Sequence, residues 1–260
     1  MKHSTTLIVL ASAAGIALSA GCGSTQQRAA STGGSPASYA TTEASYSAKA
    51  GESPLFEVPT YSVPIEQLTV AEIATELEAM AALDRQMVNA SVNATPDTVV
   101  QARIQEADKV HAKRLAEIVE QIGWPTAELV GPEAANGAFL VVQHAGHDTR
   151  FQNRCLGMMV DLVNDGQIPA PYVALLTDRI RMFKGEAQLF GTQMTFEFDD
   201  MGQARAVPSI PIEDISNLDT RRAMMNMPPH DQFARALERA YRDDATTADI
   251  QSAAVETWSE

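Results

Sequence analysis

The chain has 260 residues, with 33 acidic against 19 basic side chains, a formal charge of −14 and a hydrophobic fraction of 45%. That fraction is enough for a real core and excludes wholesale disorder, and the acidic balance argues against nucleic acid as a partner. Two cysteines exclude a multi-disulfide scaffold and a Cys-rich zinc module.

Residues 1–21 read as a signal peptide. Lys2 and His3 precede an apolar run from Leu7 to Leu18 that is too short to span a bilayer. Ser19-Ala20-Gly21-Cys22 follows, and it resembles the lipobox of bacterial lipoproteins, with Ser19 in the slot usually held by Leu. The resemblance implies diacylation of the Cys22 sulfur (a palmitate-type modification), cleavage before it, and a membrane partner through that lipid. It places the chain outside the cytoplasm, anchored to the cell membrane. Gly23 rather than Asp after the cysteine favours the outer membrane in a Gram-negative cell.

Residues 22–64 are expected to be a lipidated tether. From Gly23 to about Ser53 the chain is Ser, Thr, Ala and Gly with few larger aliphatic side chains, and it cannot offset its own ordering entropy. About 30 flexible residues reach roughly 30 Å. Pro54, Pro59 and Pro64 then mark an extended lead-in.

An α-rich domain is expected over 65–245, with a tail or short helix over 246–260. The spacing predicts helices over 65–90 and 97–122. Asp84 lies on the stripe of Ile73, Leu77, Met80 and Met87, unless the phase slips and Leu83 takes its place. Asp108 and His111 lie on the stripe of the second helix, which Gly123-Trp124-Pro125 ends. A third helix runs from about Glu133 through Phe139-Leu140-Val141-Val142 to Gln143-His144. A fourth starts near Asp148, where Thr149 and Gln152 have capping-box spacing, and runs to Asn164. A fifth covers 170–184. Alternation over 192–198, a turn at Asp199-Asp200-Met201-Gly202 and a return over 203–207 predict a hairpin, and short helices finish the chain. The fold class is mainly α with a small β-hairpin.

Chemistry-bearing residues fall in three groups. Asp84, Asp108 and His111 are ionisable groups on inner stripes, either a polar network or a ligand site. Gln143 and His144 end the third helix, and His144, His147 and Asp148 have the residue types for a weak metal site without any metal signature. Asp148 is equally a helix cap. Asp178 and Arg179, adjacent on a helix, are followed by Gln188, Thr192 and Gln193. No nucleophile elbow and no phosphate-cradling glycine loop is present, so no cofactor is expected. Cys155 reads as a buried hydrophobe.

Trp124-Pro125, Leu140-Val141-Val142-Gln143-His144-Ala145, Phe151-Gln152, Leu176-Thr177-Asp178-Arg179 and the run Gly185 to Gln193 together resemble an uncharacterised bacterial family, domain of unknown function 6624, over roughly residues 75–230. The chain departs from that family's pattern around Asp84-Arg85-Gln86, at His111, at Gly146 and at Phe190. The resemblance implies a domain identity and no reaction. The sequence therefore favours an envelope-anchored binding or interaction domain, whose partner is an envelope protein or a small polar ligand. The alternative is a hydrolase-like envelope enzyme with His144 as general base and Asp178, Arg179 and Gln188 orienting substrate. The oligomeric state is not encoded in any of these features.

Overall fold

In the computed structural model, residues 56–93 and 98–242 are described. The segments expected as signal peptide and as C-terminal tail, Cys22 and most of the expected tether lie outside them. The expected first helix opens instead as a 3-10 turn, Ile65–Gln67, and α1 runs over Val70–Asn93. The break has a local cause: Thr69 and Glu72 form a capping box, in which the Thr69 backbone N–H and hydroxyl both donate to Glu72 Oε2 at 2.8 Å and Thr69 Oγ1 accepts from the Glu72 N–H.

Helix α2 covers Thr98–Ile122 and a single turn, α3, covers Ala127–Val130. Then follow α4 (Pro132–His144), α5 (Thr149–Asn164) and α6 (Ala170–Phe183). Strands β1 (Met194–Phe198) and β2 (Ala204–Pro208) pair antiparallel, with Phe196 opposite Ala206. Helices α7 (Leu218–Met224) and α8 (His230–Arg242) complete the described chain.

The centre of the fold is α4, which packs against α1, α2, α3, α5 and α6. That position explains why Ala138, Phe139, Leu140, Val141 and Val142 are all buried: a helix surrounded by partners has no solvated face. Phe139 stacks on Tyr172 of α6 with ring centroids 4.0 Å apart. The closest contact is between α4 and α1, where Gly137 lies against the backbone carbonyl of Leu77. The lead-in is clipped on by two arginines of α2: Arg103 donates to the Phe56 carbonyl, and Arg114 donates to the Val63 carbonyl while forming a buried ion pair with Glu76 at 2.7 Å.

A second, smaller core forms where Met194, Phe196 and Ala206 of the hairpin meet Phe233, Leu237 and Ala240 of α8. The helical and hairpin parts are joined by the segment 184–193. There Gln188 makes an isolated parallel bridge with Ile212, an element without any periodic signal in the sequence. Cys155 is a free, wholly buried thiol, and burial pushes its ionisation up to about 12. Among the described residues no helix is long and apolar enough to cross a membrane.

Candidate functional site

Asp84 is 4% exposed and Leu83 only partly buried, so the carboxylate does occupy the inner stripe of α1. Its partner is at the C-terminal end of α4. His144 Nδ1 donates to Asp84 Oδ1 at 2.7 Å, and the imidazole keeps 18% of its surface open to solvent. Burial pulls the His144 pKa down, but the Asp84 charge and hydrogen bond, helped by the Asp108 charge, outweigh it and hold the imidazole above its ordinary value. With Nδ1 engaged by a carboxylate, Nε2 is the nitrogen left to exchange a proton with a ligand.

Helix α2 brings two more ionisable groups to this pair. Asp108 is half-buried, and its carboxyl is raised to about 6, mainly by burial, with the Asp84 charge adding and the His144 and Arg179 charges opposing. His111 is buried, and its pKa falls to about 4, again mainly by burial, so the ring is neutral at pH 7. Tyr61 of the lead-in lies beside His111, ring centroids 6.3 Å apart, and under the Arg114 guanidinium.

The floor comes from α4 and α6. Arg179 is wholly buried, and its Nε donates to Gln143 Oε1 at 3.3 Å. Burial lowers its pKa to about 10, against the pull of the Asp84 and Asp108 charges, so it remains a cation at neutral pH. Four side-chain atoms in this group are buried with no hydrogen-bond partner: Asp84 Oδ2, His111 Nε2, Gln143 Nε2 and Arg179 Nη2. Buried polar atoms are almost always paired, so four orphans in one cluster, beside a partly open imidazole, mark a place where a ligand or water completes the bonding.

The remaining sequence candidates lie elsewhere. Asp178 is wholly buried, and its two oxygens accept from the N–H groups of Leu189, Phe190 and Thr192 and from the Thr192 hydroxyl, at 2.7–3.2 Å. Gln188 accepts from the Gln193 N–H and donates to the Gln193 and Ile210 carbonyls. Thr192 and Gln193 bond each other through their side chains. These four residues hold the 184–193 connection in shape instead of facing His144. Arg221 and Arg222 donate to the Leu189 and Phe190 carbonyls and pin the same loop from α7. Gly191 sits there at φ +62°, and a Cβ on it would press on His230 and Ile212.

Asp148 caps α5 by accepting from the Phe151 N–H at 3.0 Å, and His147 is exposed. Among the described residues, no group of three or more His, Cys, Asp or Glu is placed to hold a metal ion. The turn between α4 and α5 is shaped by Gly146, where a side chain would run into the Phe183 ring.

The raised Asp108 pKa has a thermodynamic consequence. A folded-state pKa of about 6 against 3.8 for the free group means that stability is highest below pH 4 for this group and is lost as pH rises through 6. Asp108→Asn, which cannot ionise, is therefore expected to stabilise the protein at pH 8 by on the order of 2–3 kcal/mol. The advantage should fade as pH drops through 6 towards 4. His111 acts in the opposite sense, losing stability as pH falls from 6.5 towards 4, but it is common to both proteins and cancels. Urea unfolding of both proteins at pH 8 and pH 5 checks this, and an equal difference at the two values refutes it.

No curated protein and no solved structure matches the chain. A family model does: the family of unknown function DUF6624 matches over residues 68–245, from the turn before α1 through α8. The match spans both the Asp84–His144 cluster and the loop that Asp178 organises, so the chain belongs to the DUF6624 family.

Proposed function

We propose that the protein is a lipid-anchored enzyme of the cell envelope, hydrolytic in class, whose α-rich domain binds a small polar ligand at the Asp84–His144 cluster. One observation carries the catalytic part: an imidazole oriented by a buried carboxylate at 2.7 Å, partly open to solvent, next to four buried polar atoms without partners. In this reading Asp84 sets the tautomer of His144, and His144 acts as general base through Nε2 on a water or on the substrate itself. Asp108, with its pKa near 6, is the group able to return a proton. Arg179 and Gln143 orient the substrate. Asp178 and Gln188 are left to the loop.

The test is a panel of chromogenic ester, amide and phosphoester probes offered to wild type and to His144→Gln. General acid–base groups contribute about 10²–10⁴-fold, so the variant should lose about a hundredfold or more of the rate while unfolding at a similar denaturant concentration. No turnover dependent on His144 across the panel would return the domain to a binding role without catalysis.

The anchoring part rests on the n-region, the apolar run and the small residues before Cys22. Acyl chains on that sulfur supply the two or more hydrophobic anchors that stable attachment needs. Cys22→Ser should move the protein from the membrane fraction to the soluble one; unchanged fractionation overturns the anchor.

A further inference from the structure

Among the described residues, Arg179 and Arg222 are the two largest wholly buried side chains, and their surroundings differ. Arg222 donates to the Pro228 and Phe190 carbonyls and lies over the Phe233 ring with its carbon 5.0 Å from the centroid. Those contacts fix it as a structural clamp on the loop, although its Nη2 is also buried without a partner. Arg179 has one hydrogen bond, the 3.3 Å bond to Gln143 Oε1, and among the described residues no carboxylate lies within ion-pair distance of it. Asp84 and Asp108 act on its charge only through space, which leaves room for something that contacts the guanidinium directly.

The atoms around Arg179 limit what that something can be. The Arg179–Gln143 bond joins the two side chains, and the free donors that remain, Arg179 Nη2 and Gln143 Nε2, belong to neighbouring planar groups. Two such N–H donors, one of them cationic, suit the two oxygens of a carboxylate. A phosphate dianion suits them less, because Asp84 and Asp108 bring two carboxyl groups to the same place and only one fixed cation faces them. On the far side, Asp84 Oδ2 is an acceptor without a donor, beside His144. The ligand must then carry a hydrogen-bond donor a short distance from its anionic end.

We propose that the Asp84–His144 site takes a small monocarboxylate whose carboxylate pairs with Arg179 and Gln143 and whose neighbouring amide N–H or hydroxyl donates to Asp84. N-acyl amino acids, peptide C-termini and 2-hydroxy acids are the chemical classes that fit. This deepens the acid–base reading given above and rests on it for any turnover: the bond to be hydrolysed would be the amide next to that carboxylate, whose N–H is the donor to Asp84, brought to His144 by the Arg179 contact. Water adds to the acyl carbon, giving a proton to His144; the C–N bond then breaks, and the amine leaves with the proton that Asp108 returns.

The experiment measures binding by the full-length chain to N-acetylglycine, its neutral isostere N-acetylglycinamide, acetate and inorganic phosphate, by calorimetry at pH 7. N-acetylglycine should bind at least about tenfold more tightly than the neutral amide, as one charge-assisted hydrogen-bond pair requires, and more tightly than acetate, which lacks the donor. Phosphate should bind no better than acetate. Arg179→Met should erase the preference for the charged probe. The wild-type comparison of charged and neutral isosteres stands even if that variant does not fold. Equal affinity for the two isosteres, tighter binding of phosphate, or no binding of any probe (the orphaned atoms then being met by water alone) overturns the proposal. His144→Gln should keep the preference for N-acetylglycine. If His144-dependent turnover is found on substrates without a carboxylate and the isosteres bind equally, this inference falls while the acid–base reading survives. If the preference is present without turnover, the reverse holds.

Discussion

Replacing Gly137 by Ala is expected to destabilise the protein by about 2–4 kcal/mol and to loosen the Asp84–His144 pair. In an exposed helix the same change would stabilise, by about 1 kcal/mol. Here the added Cβ would run into the backbone carbonyl of Leu77 and touch the Cβ of Ala81. A backbone carbonyl in a helix cannot swing aside as a side chain can, so α1 and α4 must separate. The two helices run in the same direction: Leu77 meets Gly137, and Asp84 meets His144, seven residues further along each chain. Seven residues are two turns, about 10.5 Å of helix. The separation would therefore be felt at the site.

Two measurements check it. Denaturant unfolding gives the stability loss, and the titration of His144 followed by NMR gives the site. In wild type the His144 pKa lies above its ordinary value because Asp84 is in contact. In Gly137→Ala it should fall, since burial alone pulls it down. A variant as stable as wild type with an unshifted His144 would show that the helices do not depend on this close approach.

Asp178→Ala is expected to cost about 4 kcal/mol, the second large effect. The carboxylate accepts from three backbone N–H groups and one hydroxyl of the 189–192 loop, whose Leu189 and Phe190 carbonyls are held in turn by Arg221 and Arg222. Hydrogen bonds to a charged group contribute about 1.5–3 kcal/mol each, and each stranded buried donor adds a desolvation cost of about 1–3 kcal/mol, though such terms do not sum. Thr192→Val removes the hydroxyl alone and should cost about 1 kcal/mol. The loop carries the chain from α6 into β1, so its loss should also expose the hairpin core around Phe196 and Phe233. Asp178 is not among the groups that act on His144. In a folded Asp178→Asn protein the His144 titration should therefore be unchanged, which separates a loop-building role from a catalytic one. A loss below about 1 kcal/mol for Asp178→Ala, against the ordinary cost of removing such a network, would refute the loop-building account.

Much of this architecture is legible in one dimension because its causes are local. Helix α5 starts where the sequence places it, near Asp148, but by another device: Asp148 is the cap, and Gln152 of the expected capping box donates instead to the Val142 and Gln143 carbonyls of α4. The 3.6-residue period offers Asp84 for the inner stripe of α1 with Leu83 as the alternative, and the burial of Asp84 settles that phase. The hairpin follows from alternation across a turn of Asp199 to Gly202. What is missed locally has a non-local cause. The bridge from Gln188 to Ile212 has no period because it is a single pair. Arg222 is invisible as a loop clamp because the carbonyl it serves is 32 residues away.

The functional cluster shows the same division most sharply at Asp178 and Arg179. Adjacent residues on a helix point about 100° apart, so the sequence by itself determined that the two need not pair with each other, though its enzyme reading gave both a substrate-orienting task, and it placed ionisable groups on the inner faces of α1 and α2. It carried no information about which of the two would face the site. The packing of α6 against α4 and α5 decided that, turning Arg179 toward Gln143 and sending Asp178 to the loop. The pairing of Asp84 with His144 was decided in the same way. The two residues lie 60 positions apart on separate helices, and only the approach of those helices at Gly137 brings them within 2.7 Å. A periodic pattern states which side of an element is inside. It takes the assembled core to state what each inward side chain meets.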